Sequence, residues 1–103
     1  MTFNELKLKY ADRAVNRAGC WLLDATASLE FLEDLRVSQV PLNGIEGYWL
    51  RGAAIEPSLA NSVYFMGTDI RVKALAGDDV ISKAKGFITD RINSGLLFDF
   101  DAG

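Results

Sequence analysis

The spacing of apolar residues changes near Pro41, and this change constrains the fold more than any other feature of the sequence. Before Pro41 the apolar residues recur every three or four positions, which is the period of an amphipathic α-helix. After Pro41 they form short β-branched or aromatic runs between glycine and asparagine residues, which is typical of strands and turns. The order indicates an α+β domain in which helices pack on one face of an antiparallel sheet.

Two helices are predicted in the N-terminal part of the chain. The first begins after Thr2, because Thr2 and Glu5 have the spacing of a capping box, and it ends near Gly19. The second begins after Asp24, which is a suitable N-cap, and extends to Arg36.

The second helix has an unusually wide apolar face. At 100° per residue its apolar positions span roughly 160°, whereas an ordinary surface helix needs a stripe of about 100°. Phe31 and Leu35 belong to this face. The excess predicts a second contact surface, and one interpretation is a homodimer formed through Phe31 and Leu35.

The C-terminal part is predicted to contain four strands and one helix. A three-stranded antiparallel meander comprises residues 45–51, 62–66 and 70–76, with residues 67–69 as a hairpin loop between the last two strands. A third helix is capped by Asp78 and ends before Gly95, and residues 96–100 form the last strand. We expect residues 1–103 to be a single domain, because this length supports one hydrophobic core.

The residue types that are missing exclude several kinds of chemistry. The chain has no histidine and only one cysteine, Cys20, so His-dependent nucleophilic catalysis and zinc sites of histidine and cysteine have no candidates. No phosphate-binding loop and no dinucleotide fingerprint occurs. We therefore expect no metal and no cofactor, and any catalysis would depend on carboxylates.

Charge and hydropathy narrow the choice of partners. The net charge is −3, and residues 18–56 are the most acidic part, so a nucleic-acid partner is not expected. The longest apolar run, residues 18–23, is far too short to cross a membrane. A single cysteine is compatible with a reducing compartment, and we expect a cytoplasmic location.

The most distinctive segment is residues 44–52, in which three glycines surround Tyr48 and Trp49. About ten residues separate it from the next predicted strand, more than a usual hairpin loop contains. One interpretation is a functional loop whose glycines allow close approach to a ligand. The other is that Trp49 anchors the core and the glycines form bulges or turns.

Two carboxylates in aromatic surroundings are candidates for a binding site. Glu46 and Glu56 could be the polar groups of a small-molecule pocket, or of a carboxylate-dependent enzyme, lined by Trp49, Tyr64 and Phe65. The alternative is that both carboxylates face water and have no such role. The candidate binding residues in this region are Glu46, Tyr48, Trp49, Glu56 and Tyr64.

Charged residues also cluster on the two predicted N-terminal helices. Glu30, Glu33 and Asp34 form an acidic patch that could attract a basic partner. A basic stripe on the first helix comprises Lys9, Arg13 and Arg17. Both groups could equally be solvated helix faces.

In its size, acidic charge and α+β pattern, the chain resembles small bacterial immunity and inhibitor proteins that neutralise a basic toxin. This resemblance implies a non-catalytic domain that binds a protein partner. The Tyr48 and Trp49 pair agrees with it, because aromatic residues are favoured anchors at protein interfaces. The alternative function is the small-molecule or carboxylate site near residues 44–65.

Overall fold

The computed structural model describes residues 1–65 and 78–103. Within these residues the chain forms three helices and five strands. The elements, in chain order, are α1 (Phe3–Lys9), β1 (Val15–Arg17), β2 (Cys20–Leu22), α2 (Ala25–Val37), β3 (Leu42–Arg51), β4 (Ala54–Tyr64), α3 (Asp78–Thr89) and β5 (Leu97–Ala102). The α+β class is confirmed, although some helix bounds and strand positions differ from the predicted ones.

Two antiparallel sheets organise the described strands. Strands β1 and β2 pair as a small hairpin, and the larger sheet has the order β4–β3–β5, with β3 in the centre. Its inner face packs against α2 and α3, and the common core contains Leu32, Ile45, Ile88, Phe98 and Phe100. No helix in the described residues is long and apolar enough to cross a membrane.

The first helix is shorter than the sequence suggested. Its predicted start is confirmed, because the Thr2 hydroxyl accepts a hydrogen bond from the Glu5 backbone and the Glu5 carboxylate accepts one from the Thr2 backbone. However, α1 ends at Lys9, and the chain then turns into the β1–β2 hairpin. Ala18 and Gly19 both have positive φ, 50° and 78°, which is the requirement of a type I′ hairpin turn. Gly19 therefore belongs to a hairpin turn and does not end a helix.

Helix α2 has nearly the predicted bounds, and Asp24 is its N-cap, accepting a hydrogen bond from the Ala27 backbone at 2.8 Å. Phe31 and Leu35 are fully buried. The ring of Phe31 contacts the rings of Phe3, Tyr10, Trp21 and Phe100. The wide apolar face therefore packs inside this chain, and Phe31 and Leu35 are not available for the homodimer contact proposed from the sequence.

The predicted ten-residue loop after residue 52 is instead a hairpin. Gly52, with φ of +61°, and Ala53 form a tight turn between β3 and β4. Strand β4 therefore begins at Ala54 and includes residues 62–64 of the predicted second strand only at its end. Pro57 lowered the strand propensity of this segment, but proline is compatible with an edge strand. Within the described part of the sheet, β4 is such a strand.

The remaining predictions have mixed outcomes. The predicted strand 70–76 and hairpin loop 67–69 lie outside the described residues, as does Met66. Helix α3 comprises Asp78–Thr89, so Asp78, the predicted cap, is the first residue of the helix, and the helix ends at Thr89, before the turns that lead to Gly95. Gly95 has the expected positive φ of +84°. The last strand is confirmed close to its predicted position, and it pairs with β3.

A glycine on the central strand makes a close contact possible. At Gly47 a Cβ atom would lie 2.3 Å from the carbonyl oxygen of Asn61, in an irregular part of β4 where the pairing with β3 shifts register. Arg91, in the turn after α3, contacts this segment by donating to the Asn61 side-chain oxygen at 2.9 Å. The close approach leaves no space for a side chain at residue 47.

We expect Gly47→Ala to lower the free energy of unfolding by about 1–3 kcal/mol, because the new methyl group forces the two strands apart. The matched control is Gly86→Ala in α3, where a Cβ would meet nothing within 4 Å. That change should raise stability by roughly 0.5–1 kcal/mol through helix propensity. Urea unfolding of the two variants checks both signs, and equal effects would contradict the close contact.

Candidate functional site

The alternation of side chains along β3 and β5 separates the two faces of the larger sheet. Ile45, Phe98 and Phe100 point into the core and are buried. Because neighbouring residues on a strand point to opposite faces, Glu46 and Asp99 lie on the other face. The strand register places Glu46 directly opposite Asp99. Two carboxylates therefore lie side by side on adjacent strands.

This second face, which we call the outer face, carries aromatic residues and a third carboxylate as well. Tyr64 lies on it opposite Gly44, and a Cβ at Gly44 would be only 2.9 Å from the Tyr64 ring. On the other side of Gly44 lies Asp101. The outer face is defined by Glu46, Tyr48, Tyr64, Asp99 and Asp101.

Apolar residues extend the outer face toward the hairpin turn. Tyr48 is opposite Pro57, and the next pair on this face is Leu50 and Ile55. Leu50 is 42% exposed and Tyr64 is 58% exposed. The face therefore combines accessible aromatic and aliphatic surface with carboxylates, which is a mixed composition suited to contact with another protein.

The carboxylate pair is electrostatically unfavourable. Burial and the neighbouring Glu46 carboxylate raise the pKa of Asp99 above its ordinary value, and Lys7 offsets part of this effect. Within residues 1–65 and 78–103, neither Glu46 nor Asp99 forms an ion pair. Like charges directly opposite each other on paired strands destabilise a sheet. Within the part of the chain that the structure describes, no cation neutralises the Glu46 and Asp99 carboxylates by an ion pair.

Tyr48 lies beside this pair. Its hydroxyl donates to the Glu46 carboxylate at 3.4 Å, and burial together with the Glu46 charge raises the pKa of Tyr48 to about 12. The Cys20 thiol is also next to the Tyr48 hydroxyl. The phenol therefore stays neutral at physiological pH, as a hydrogen-bond donor with an aromatic ring.

Of the five candidate residues near the predicted loop, the structure brings three together. Glu46, Tyr48 and Tyr64 share the outer face. Trp49 points the opposite way and packs against the core, and Glu56, which is opposite Trp49, forms an ion pair with Arg51 at 3.1 Å. The side chains proposed to line one small-molecule pocket therefore lie on two different faces of the sheet.

The acidic patch predicted on α2 is paired with cations of the same chain. Arg13 binds Glu30, Lys9 binds Asp34 at 3.0 Å, and both Arg36 and Lys85 bind Glu33. The hydrogen bonds from Arg36 and Lys85 lower the pKa of Glu33 to about 2.

A cleft of about 390 Å³ lies between α1 and α2, and its lining residues are Lys9, Tyr10, Arg13, Glu30, Glu33 and Asp34. The Tyr10 hydroxyl donates to Asp34 at 2.6 Å. The charged residues around this cleft connect α2 with α1 and with the turn after α1.

The predicted basic stripe does not form one surface. Lys9 and Arg13 form ion pairs with carboxylates of α2, whereas Arg17 lies on β1.

Asp99 and Cys20 were not among the residues selected from the sequence. Asp99 could have been found, because the alternation Phe98, Asp99, Phe100, Asp101 places both aspartates on one face of a strand. Its neighbour across the sheet depends on strand pairing, which no local pattern reveals. The described residues hold no group of three acidic, cysteine or histidine side chains suitable for a metal ion.

Comparison of the chain with protein-family models, curated proteins and solved structures gave no match. The outer face, with its opposed carboxylates and exposed tyrosine, is therefore the basis for assigning a function. The carboxylates of the outer face could accept hydrogen bonds from a cation, and its tyrosine rings provide an aromatic surface beside them.

The Glu46–Asp99 pair should make the domain more stable when Asp99 is protonated. A carboxyl with a raised folded-state pKa stabilises the fold at low pH, and this contribution is lost as pH rises through the folded-state value. We expect Asp99→Asn to raise the free energy of unfolding by roughly 0.5–1 kcal/mol at about pH 7, and to have little effect at about pH 3.5.

Urea unfolding at the two pH values measures this difference. The control is Asp101→Asn, which removes a carboxylate from the same strand and face but one that lies opposite Gly44. Its effect should be smaller. A lower stability of Asp99→Asn at neutral pH would show that the carboxylate pair is not repulsive.

Proposed function

We propose that this chain is a non-catalytic protein-binding domain whose outer face binds a basic protein partner. The observation that carries the proposal is the direct opposition of Glu46 and Asp99, with no ion pair to either carboxylate among the described residues. A cationic side chain of a partner would be attracted by both carboxylates. This attraction would offset their mutual repulsion and would contribute to the free energy of binding.

The residues around the carboxylates support a protein partner over a simple ion. Tyr48 and Tyr64 present aromatic rings, and Leu50 adds exposed aliphatic surface. Tyrosine and arginine are enriched at the centres of protein interfaces, where an arginine can pair with carboxylates and stack on an aromatic ring. A partner segment rich in arginine or lysine matches both properties.

The distribution of charge favours the outer face over α2 as the binding surface. The α2 carboxylates already have cationic partners, and a new cation would have to displace Arg13, Lys9 or Lys85. Among the described residues, the outer-face carboxylates have no such competitor apart from Lys7, which acts on Asp99 from a distance. The acidic surface that we assign to partner binding is thus on the sheet.

Such a domain would act by binding to its partner and neutralising it, as the resemblance to immunity and inhibitor proteins implies. We place it in the cytoplasm, where a half-buried single thiol such as Cys20 remains reduced. The small-molecule alternative has less support, because its proposed lining residues point to opposite faces of the sheet.

The proposal can be tested with a defined cationic probe. We expect a short peptide of alternating arginine and threonine residues to bind at low ionic strength and to shift the amide resonances of β3 and β5. The double variant Glu46→Gln/Asp99→Asn should weaken the peptide affinity by about tenfold or more, since it removes the charges that pair with arginine. Isothermal titration calorimetry and ¹⁵N NMR measure these effects.

The matched control is Glu30→Gln/Glu33→Gln, which changes the net charge by the same amount on α2. It should leave the peptide affinity within about twofold, because its charges are already paired. A second peptide with glutamine in place of arginine should not bind. Resonance shifts confined to α1 and α2, or equal losses in both double variants, would contradict the proposal.

A further inference from the structure

Asp99 lies where four structural elements meet, and each contributes a titratable or charged group. Glu46 and Tyr48 face it from β3, Cys20 adjoins Tyr48 from β2, Lys7 acts from α1, and Asp101 follows on the same strand. The nearest of these by strand pairing is Glu46. A change in the charge of Asp99 therefore acts most directly on a second carboxylate, that of Glu46.

The backbone fixes this proximity. Glu46 and Asp99 belong to a continuous run of paired residues from Ile45 with Phe100 to Tyr48 with Leu97. Both flanking inward positions, Ile45 and Phe98, are fully buried, so the strands cannot slide or separate without exposing the core. The backbone therefore keeps the two residues opposite each other, and proton uptake is one way to relieve the repulsion between their carboxylates.

We propose that proton binding at Asp99, which the strand register holds opposite Glu46, competes with the docking of a cationic partner, so that a docking partner displaces the proton to solvent. The inference deepens the proposed function and rests on it. The partner's positive charge takes the place of the proton, so association becomes stronger as pH rises and Asp99 loses its proton without a partner.

The local charges are consistent with this coupling. Burial and the Glu46 carboxylate both favour the protonated form of Asp99 and raise its pKa. Lys7 opposes them, but its ammonium group lies 5.4 Å from the Phe3 ring and 5.2 Å from the Trp21 ring. These cation–π contacts hold Lys7 at the edge of the outer face, and it forms no ion pair with Asp99 among the described contacts.

The first arm of the test uses the free protein. Carboxyl ¹³C resonances of Asp99 and Glu46 are followed against pH in the wild type, in Glu46→Gln and in Asp101→Asn. We expect Asp99 to titrate above the ordinary aspartate range of about 3.9, and to return toward it in Glu46→Gln. Asp101→Asn should produce a smaller change. A wild-type Asp99 with an ordinary pKa, or one unaffected by Glu46→Gln, would overturn the proposal.

The second arm measures binding of the arginine–threonine peptide between about pH 4.5 and about pH 7.5, a range in which arginine stays charged. The association constant should rise with pH, by up to about tenfold per unit where Asp99 loses its proton. In Asp99→Asn the rise should be reduced, because the carboxyl that exchanges its proton for the partner's charge is absent. A pH dependence identical to that of the wild type would overturn the proposal.

The two arms separate this inference from the proposed function. If the peptide binds the outer face but Asp99 titrates normally, the proton linkage fails and the binding function stands. If the pKa of Asp99 depends on Glu46 as expected but the peptide does not bind at any pH, the proposed function fails. The displacement of the proton by a partner then fails as well.

Discussion

The ring of Phe31 joins most parts of the described structure. It is fully buried and contacts aromatic rings from α1, from the segment after α1, from β2 and from β5. These contacts fix α2 against the inner face of the sheet and fix the β1–β2 hairpin beside it. Because the large apolar side chains near the centre of the sheet pack on this one side, the outer face around Glu46 carries carboxylates and tyrosines. The position of the candidate binding surface is therefore a consequence of core packing.

The charged residues follow a corresponding division. On the helical side, cations of α1, of the turn after it and of α3 are paired with the carboxylates of α2, and they connect these segments. On the outer face, Glu46 and Asp99 are held opposite each other by the register of β3 and β5. Exposed ion pairs contribute little to stability, so we expect the ion pairs of α2 to add little to the free energy of unfolding. We expect the two opposed carboxylates, which have no ion pair among the described residues, to lower stability slightly, as functional residues often do.

Local patterns identified the parts of the fold that depend on local physics. The Thr2 capping box, the Asp24 cap and the α2 periodicity are properties of neighbouring residues, and the structure confirms them. The β1–β2 hairpin was missed because its residues also fit helical spacing, and only the backbone at Ala18 and Gly19 distinguishes the two. For the candidate site, Glu46 and Tyr48 were visible from sequence. The face of the strand on which Asp99 lies could also be read from the alternation around it, but its position opposite Glu46 could not, because the partner strand lies about fifty residues away in the chain.

The separation of paired and unpaired charges gives the described part of the molecule an electrical polarity. One side is nearly balanced, whereas the other carries an excess of negative charge on a rigid sheet. If a cationic protein approaches, this uneven charge distribution would produce a torque as well as an attraction. The domain would then rotate until the outer face of the sheet is directed toward the partner. Orientation would then precede contact, and fewer collisions would be unproductive. Dissolved salt shortens the distance over which this alignment acts to about 8 Å at physiological ionic strength.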